Sequence, residues 1–244
     1  IAQAIDVGAK LVGVPEYFCL IGQHDSDKLA IQERLGQGPL QDALRQAAMQ
    51  HGIWLAGGTL PITADQPERV FNTTLVWNPQ GEVAARYDKI HLFAFDNGRE
   101  SYDESRVLQA GTRPSVFELA SRDGHTWRVA LSVCYDMRFP ELYRSLQPHL
   151  IMAPSAFTHT TGQAHWEVLL RARAIENLSY LMAPAQGGVH PSGRRTWGQT
   201  LAIDPWGQVL AQQLEGPGVV VADLDWQRLQ DVRLQLPALQ HRVF

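Results

Sequence analysis

The sequence predicts an α/β or α+β fold in which helices cover large mixed sheets. Short apolar runs, such as residues 10–16, alternate with helical patterns, such as residues 38–52. Hairpin patterns turned by Asn-Pro-Gln-Gly at 78–81 and by Asp-Pro-Trp-Gly at 204–207 occur among them. Because the alternation gives parallel strand pairs and the hairpins give antiparallel ones, we expect one layered domain over residues 1–244.

The first half of the chain opens with a helical pattern and continues with strands and one longer helix. Ile1 and Ile5 lie at helical spacing, and Leu40 and Leu44 share a face of the second helix, which Gly52 would cap. Since an α/β chain usually begins with a strand, we expect a further strand before Ile1. The strands predicted in this half cover residues 10–15, 53–61 and, as a hairpin, 72–88.

The second half repeats the alternation of strands and helices. A strand is predicted over residues 127–136, and a helix follows from Phe139 with Pro140 in its first turn. A long helix is predicted over residues 164–180. The remaining predicted strands cover residues 150–157, 180–186, 200–213 as a hairpin, and 218–225.

The composition excludes several classes of protein. Hydrophobic residues make up 45% of the chain and charged residues 19%, so the chain can bury a sizeable core and is not disordered. The net charge of −4 is dispersed without a basic stripe for nucleic acid, and no apolar run is long enough to span a membrane. Two cysteines do not make a disulfide framework, and a reducing cytoplasm suits a working thiol.

Cys134 follows an apolar strand and directly precedes the start of a helix. Ligands bind at this edge of α/β sheets, where backbone N–H groups stabilise a thiolate or an oxyanion. The position is equally typical of a buried core cysteine, so the local pattern leaves both interpretations open. A papain-like site would need a histidine, but His91 and His165 have apolar neighbours and are interpreted as structural. Paired Cys and His ligands are absent from the sequence, so no metal site is predicted.

Two other charged residues lie beside apolar runs. Glu16 follows an apolar strand and Pro15, where a carboxylate is expected to face a cleft and act as a base. Lys89 precedes an apolar run, where it either extends to solvent or supplies a cation to a site. Each residue alone is more often a solvated charge. Together with Cys134 they form a coherent set, because Glu can take the thiol proton, Cys can attack and Lys can hold the oxyanion.

Three segments in order, Gly-Val-Pro-Glu-Tyr-Phe, Tyr-Asp-Lys-Ile-His-Leu-Phe and Val-Cys-Tyr-Asp-Met-Arg-Phe-Pro-Glu-Leu, resemble the nitrilase superfamily of carbon-nitrogen hydrolases. The resemblance covers essentially the whole chain and is nearest to the amidase branch. It assigns the Glu, Lys and Cys of that superfamily to Glu16, Lys89 and Cys134, and a second glutamate to Glu104. It implies a four-layer α-β-β-α sandwich whose first strand precedes the opening helix, and a homodimer or higher homo-oligomer.

The resemblance also implies hydrolysis of a small linear amide without a cofactor. Glu16 would act as general base on Cys134 and later on water, and a thioester would form as ammonia leaves. Lys89 and the backbone N–H of Tyr135 would stabilise the oxyanion. Glu104 would position Lys89 or the substrate, unless it is only a surface carboxylate.

The surroundings of the site carry weaker expectations. Asp136 and Arg138 are expected to brace the turn after Cys134. Phe157 lies in a loop after a strand and is expected to line the pocket. A substrate with carboxylates would need a basic residue at the pocket mouth, for which the candidates are Arg99, Arg173, Arg194 and Arg195.

The substrate is predicted by resemblance alone. The segments favour the deaminated-glutathione amidases, with ω-amidases acting on 2-oxoglutaramate and true nitrilases as alternatives. Two classes outside this chemistry are also considered. One is a catalytically decayed scaffold of the same fold, against which the intact Glu-Lys-Cys set argues. The other is a thiol redox protein, for which no Cys-x-x-Cys pair exists in the sequence.

Overall fold

Two mixed β-sheets form the centre of the fold in the computed structural model, which describes residues 1–243. The strands of the first sheet are β1 (Leu11–Gly13), β2 (Trp54–Ala56), β3 (Leu60–Thr63), β4 (Val70–Trp77) and β5 (Val83–Asp88). They lie in the order β1-β2-β4-β3, and β5 pairs with the other edge of β4. β1 and β2 are parallel and the remaining pairs are antiparallel, so the sheet is mixed as predicted.

The second sheet has six strands, of which three neighbouring ones are parallel. A two-stranded ribbon precedes it in the chain, and another is inserted within it: β6 (Ala94–Asp96) with β7 (Ser101–Asp103), and β12 (Gly187–Val189) with β13 (Arg195–Trp197). The six strands are β8 (Ser115–Ala120), β9 (Thr126–Leu131), β10 (Leu150–Met152), β11 (Tyr180–Ala183), β14 (Thr200–Ile203) and β15 (Val209–Gln213). Their order is β15-β14-β11-β10-β9-β8.

Six α-helices and three short 3₁₀ turns complete the described chain. The helices are α1 (Ala2–Asp6), α2 (Asp27–Ala30), α3 (Pro39–His51), α4 (Pro140–Leu146), α5 (His159–Asn177) and α6 (Trp226–Gln235). The 3₁₀ turns are Glu104–Arg106, Cys134–Arg138 and Ala238–Gln240. Gly52 ends α3 in the left-handed conformation with φ of 59°, as the sequence predicts. Within residues 1–243, none of the helices combines the length and apolar character that a bilayer crossing requires.

The helices and sheets are stacked in four layers. Leu44 of α3 packs with Leu55 of the first sheet in one hydrophobic core. A larger core joins Val76 of the first sheet to Val129 of the second sheet and to Leu170 of α5. The order of layers is therefore helices, sheet, sheet, helices, which is the α-β-β-α sandwich that the sequence predicts.

The strand predicted over residues 53–61 is in fact two strands, β2 and β3, which pair in succession with one edge of β4. The break falls at Gly57 and Gly58, and Gly58 has φ of 54°. A Cβ atom on Gly58 would lie 2.1 Å from the carbonyl oxygen of Pro15. The glycines therefore break the strand and let the loop that carries Glu16 pass close to it.

The strand predicted over residues 218–225 is wrong. This segment forms no strand and pairs with no strand in the described part of the chain. Val219 and Val221 are exposed. β-branched residues favour a strand only where a partner strand and a packed face are present, and this segment has neither. The segment ends at Asp225, whose side chain accepts hydrogen bonds from the N–H groups of Gln227 and Arg228 and so caps α6.

Two other predicted strands end five residues earlier than expected. The strand predicted to Asp136 stops at Leu131, and the strand predicted to Phe157 stops at Met152. Hydrogen bonds nevertheless continue from one loop to the next, since the Cys134 N–H donates to the Pro154 carbonyl at 3.0 Å. The loops after β9 and β10 therefore run side by side in the same direction as their strands. Because they are no longer part of the sheet, their backbones can turn towards the site.

Candidate active site

Glu16 follows β1 in a loop that neighbouring elements hold tightly. Tyr17, the next residue, has φ of 53°, a left-handed conformation that is uncommon for any residue except glycine. The Tyr17 N–H donates to Thr59 Oγ1 at 2.9 Å, and Thr59 comes directly after the Gly57–Gly58 break. The chain therefore turns sharply just after Glu16, and this turn fixes the position of the carboxylate.

The Glu16 carboxylate lies between the two sheets and is only 1% exposed. Its Oε1 accepts hydrogen bonds from Asn72 Nδ2 at 2.9 Å and from Lys89 Nζ at 3.0 Å. Its Oε2 accepts one from the Ala156 N–H at 2.8 Å. Since Asn72 belongs to β4 and Ala156 to the loop after β10, groups from both sheets set the orientation of this carboxylate.

Lys89 directly follows β5 and is fully buried. Its N–H donates to the Asn72 carbonyl at 3.0 Å, and its Nζ lies 3.0 Å from Glu16 Oε1 and 2.8 Å from Glu104 Oε2. Burial by itself would lower the pKa of Lys89, but Glu104 and Glu16 outweigh burial and raise the pKa. The ammonium is therefore protonated at neutral pH and lies between two carboxyl groups.

Glu104 begins the 3₁₀ turn after β7 and faces inward. Its carboxylate accepts hydrogen bonds from the Tyr17 hydroxyl at 2.9 Å and from the Phe93 N–H at 2.7 Å, besides those from Lys89. Burial would raise the pKa of Glu104, but the Lys89 ammonium and these hydrogen bonds lower it. Glu104 is thus a carboxylate in contact with Lys89, with a side chain only 15% exposed, and not a surface residue.

Cys134 opens the 3₁₀ turn after β9, and its backbone is strained. Its φ of 51° places a non-glycine residue in the left-handed region, where such residues concentrate at functional sites. Burial raises the pKa of the Cys134 thiol well above its ordinary value, and Glu16 raises it further. Lys89 and the Ala156 N–H offset only part of this effect. The resting cysteine is therefore a thiol, and a base must take its proton before it can attack.

We expect the ultraviolet absorbance of the Cys134 thiolate to appear only at a pH above the range in which an ordinary cysteine ionises, because burial and Glu16 raise the pKa of this thiol. Because the pKa is raised, the thiol keeps its proton at every pH below the shifted pKa. The thiolate fraction grows only as the pH rises through that value. The measurement is a pH titration of thiolate absorbance, taken as the difference between wild type and the Cys134→Ala variant. A thiolate signal already complete at neutral pH would contradict the resting thiol.

Asp136 braces the turn that presents Cys134. Its Oδ2 accepts hydrogen bonds from the Tyr87 hydroxyl at 2.7 Å and from the Val133 N–H at 2.8 Å. Its Oδ1 lies 2.7 Å from His91 Nδ1. The carboxylate is fully buried and lines no part of the pocket. His91 thus serves the brace, as its apolar neighbours suggested.

A pocket opens beside Cys134 and is lined by both glutamates of the site. Tyr135 and Phe157 line it too, and the Phe157 ring packs 5.2 Å from the ring of Trp166. The Tyr135 N–H has no hydrogen-bond partner among the described residues. A backbone donor next to the nucleophile is therefore free for an oxyanion.

The basic candidates separate clearly in the structure. Arg194 lines the pocket, whereas Arg99 and Arg195 are exposed outside it. Arg173 is buried away from the pocket, where it donates to the Met137 carbonyl at 2.7 Å. Arg138, which was expected only to brace the turn, also lines the pocket.

Three contributors to the site were not identified from the sequence: Tyr17, Asn72 and the Ala156 N–H. Asn72 carried a signal, because it is an amide within strand β4, whose other residues are apolar except for two threonines. Tyr17 had only its place next to Glu16 to mark it. Ala156 contributes through its backbone, which no side-chain pattern reveals. Within residues 1–243, no group of three His, Cys, Asp or Glu side chains is arranged to hold a metal ion.

A cysteine on a strained turn, with a carboxylate and an ammonium beside a free backbone donor, is the arrangement of a hydrolase that works through acyl transfer to sulfur. Comparison with known proteins agrees. The pattern of the carbon-nitrogen hydrolase family matches residues 1–234. The deaminated glutathione amidase of Yersinia enterocolitica is 38% identical over 250 residues, which covers 99% of this chain and 85% of that protein.

Solved structures show the same similarity. The NitFhit protein of C. elegans is 35% identical and superposes with a TM-score of 0.84, covering 99% of this chain and 59% of that one. A mutant amidase from Nesterenkonia sp. AN1 is 29% identical with a TM-score of 0.74, covering 97% of this chain and 88% of that one. In that amidase, acrylamide has added to the active-site cysteine.

The chain belongs to the carbon-nitrogen hydrolase family. It is an enzyme that hydrolyses the carbon–nitrogen bond of linear amides through a cysteine nucleophile. The family and the fold predicted from the three segments are thereby confirmed.

Proposed function

We propose that this hydrolase cleaves deaminated glutathione, with Cys134 as its nucleophile. The observation that carries the proposal is the Glu16–Lys89–Glu104 cluster around Cys134 in a pocket that also contains cationic residues. Support for the substrate comes from the relative in Yersinia enterocolitica, a deaminated glutathione amidase 38% identical over 99% of this chain.

In the proposed reaction, Glu16 takes the thiol proton and the sulfur attacks the amide carbon. The oxyanion that forms is stabilised by the Lys89 ammonium and the Tyr135 N–H. The protonated Glu16 gives its proton to the leaving nitrogen, and a thioester on Cys134 remains. Glu16 then deprotonates a water molecule that hydrolyses the thioester, and Glu104 keeps Lys89 in place throughout.

The leaving group of this substrate differs from the one expected from the sequence. Deaminated glutathione shares with 2-oxoglutaramate an amide of the 2-oxoglutaryl group, but its amide nitrogen carries the cysteinylglycine part. Hydrolysis of that bond releases 2-oxoglutarate and cysteinylglycine. Ammonia leaves only when the substrate is a primary amide, such as 2-oxoglutaramate.

We expect wild-type enzyme to hydrolyse deaminated glutathione with a kcat/KM at least about tenfold above that for 2-oxoglutaramate, a difference of roughly 1.4 kcal/mol in transition-state binding. The additional substrate contacts supply this difference. Production of 2-oxoglutarate measures both reactions on one scale, and a simple nitrile is the third substrate.

Each other outcome favours a named alternative. Faster turnover of 2-oxoglutaramate would identify an ω-amidase, and turnover of the nitrile alone would identify a nitrilase. Binding of these compounds without any turnover would identify a decayed scaffold.

We further propose that residues 1–244 act as one domain, in the cytoplasm, as a homodimer or higher homo-oligomer without a cofactor. Apolar side chains on the outer surface support self-association, since Val168 of α5 is 69% exposed and Trp206 is 54% exposed. Light scattering of the purified protein tests the assembly, and a monomer at every concentration would contradict it.

A further inference from the structure

Arg194 is held at the edge of the Cys134 pocket by the ribbon of β12 and β13. The turn between these strands is closed by a hydrogen bond from the His190 N–H to the Arg194 carbonyl at 2.9 Å. The ribbon is tied to the pocket, because the Trp197 N–H donates to the Phe157 carbonyl at 2.9 Å. The fold therefore fixes the position of the Arg194 backbone relative to the pocket wall.

The Arg194 guanidinium lacks a counter-ion. It lines the pocket together with Glu16 and Glu104, and its central carbon lies 5.2 Å from the centre of the Tyr102 ring. It forms no ion pair with any carboxylate of residues 1–243. Its Nε is buried and has no hydrogen-bond partner. A buried donor without an acceptor is unfavourable, so this nitrogen points to a ligand that supplies one.

Other arginines that are partly or fully withdrawn from solvent are satisfied within the protein. Arg228 pairs with Asp204 at 3.0 Å, and Arg233 donates to the carbonyls of Leu178 and Pro148. Arg138, the other cation of the pocket, lies 3.2 Å from His165 Nδ1 and over two aromatic rings. Arg194 differs from them, because the only hydrogen bond, ion pair or ring contact that its guanidinium makes with the described residues is the cation–π contact with the Tyr102 ring.

The charge of Arg194 also reaches the catalytic cluster. It opposes the effect of burial, Glu104 and Glu16 on the pKa of Tyr17, whose hydroxyl donates to Glu104. Besides the two arginines, Arg138 and Arg194, the pocket presents two carboxyl groups, which repel an anionic substrate. A cation at the pocket edge offsets this repulsion and gives the anion a point of attachment.

We propose that Arg194 is a specificity residue that binds a carboxylate of the substrate. A guanidinium is suited to this task, because its planar fork of donors matches a carboxylate. The inference rests on the proposed function, since deaminated glutathione carries one carboxylate on its 2-oxo acid and another on its terminal glycine. The chemistry is the same for both.

The test compares Arg194→Gln with wild type on three substrates: deaminated glutathione, its terminal glycinamide form, and a small neutral amide. We expect KM for deaminated glutathione to rise about ten- to hundredfold, since a charge-assisted hydrogen bond is lost. We expect kcat to stay within about twofold, because the bond is present before and during the reaction. Arg194→Lys should recover part of the loss, and KM for the neutral amide should not change.

The glycinamide form separates the two carboxylates. If its KM is already high and no longer depends on Arg194, the residue binds the terminal glycine; if the dependence persists, it binds the 2-oxo acid. The matched control is Arg195→Gln, because Arg195 is the exposed neighbour outside the pocket. Its KM values should equal those of wild type.

An equal loss on the neutral amide would show that Arg194 only supports the fold, and unchanged KM for deaminated glutathione would show that it binds no carboxylate. Either result overturns the inference. If wild type does not hydrolyse deaminated glutathione at all, the proposed substrate fails separately. Calorimetry of glutarate binding to Cys134→Ala then tests whether Arg194 binds a carboxylate. The Kd for glutarate must rise at least about tenfold when Arg194→Gln is added, and an unchanged Kd would overturn the inference.

Discussion

Replacement of Cys134 by alanine is expected to abolish amide hydrolysis, with a loss in kcat on the order of 10⁴ or more. The reason is that the sulfur forms the covalent bond to the acyl group, and no other thiol lines the pocket. Steady-state production of 2-oxoglutarate measures the loss. Intact-mass spectrometry checks that no acyl adduct forms on the variant.

The Cys134→Ala variant should remain folded. Removal of one buried sulfur atom destabilises a protein by about 1–2 kcal/mol, which thermal unfolding detects. Cys19→Ala is the matched control, because Cys19 is the other free cysteine and lies outside the pocket. Burial raises the pKa of Cys19 to about 11, so it too is a thiol, and its loss should leave kcat unchanged. Full activity of Cys134→Ala would refute the mechanism.

Substitution of Glu16 by glutamine is expected to lower kcat/KM by about 10²–10⁴, the usual contribution of a general base. The amide keeps the size of the side chain but takes no proton from Cys134 or from water. In the carboxylate, one oxygen accepts a hydrogen bond from Lys89 and the other accepts one from the Ala156 N–H. The amide replaces one of these acceptors by an NH₂ group, so one of the two hydrogen bonds is lost. Wild-type kcat/KM in this variant would remove Glu16 from the mechanism.

An activated ester separates the two roles of Glu16. Its leaving group needs no proton, and at alkaline pH solvent hydroxide takes the thiol proton in place of Glu16. A thioester should therefore form on Cys134 of Glu16→Gln and persist longer than on wild type, because no general base activates water. Mass spectrometry of the intact variant measures that adduct, and noncovalent binding alone would contradict covalent catalysis. Glu33→Gln is the matched control, since Glu33 is a buried glutamate that accepts from the N–H groups of Leu40 and Gln41 outside the pocket. It should lower stability and spare kcat.

Two of the three strand ends beside the site were predicted to within two residues. The strand predicted to Asp136, beyond Cys134, ends at Leu131, but the strands predicted to end at residues 15 and 88, beside Glu16 and Lys89, end at Gly13 and Asp88. Local hydrophobic pattern suffices there, because each run is buried on at least one face of a sheet. The same pattern failed at residues 218–225, where β-branched residues meet no partner strand. Strand formation depends on a neighbour that local sequence does not describe.

The break at Gly57 and Gly58 shows a second limit. Glycines within an apolar run signalled nothing specific, yet they admit the loop of Glu16. Their meaning depends on a carbonyl from another part of the chain, that of Pro15. Close approach of two backbones is a tertiary event, so it is visible only in the folded protein.

The sequence by itself determined which chemical groups are present and the layered fold that carries them. Only the tertiary structure decided how they meet. The Lys89–Glu16 contact joins residues 73 positions apart, and the contact of the Ala156 N–H with Glu16 spans 140 positions. Likewise, the unpartnered Nε of Arg194 is a property of its surroundings. Periodicity reports the conformation of a short segment, whereas the pairing and burial of charges depend on which distant segments pack together.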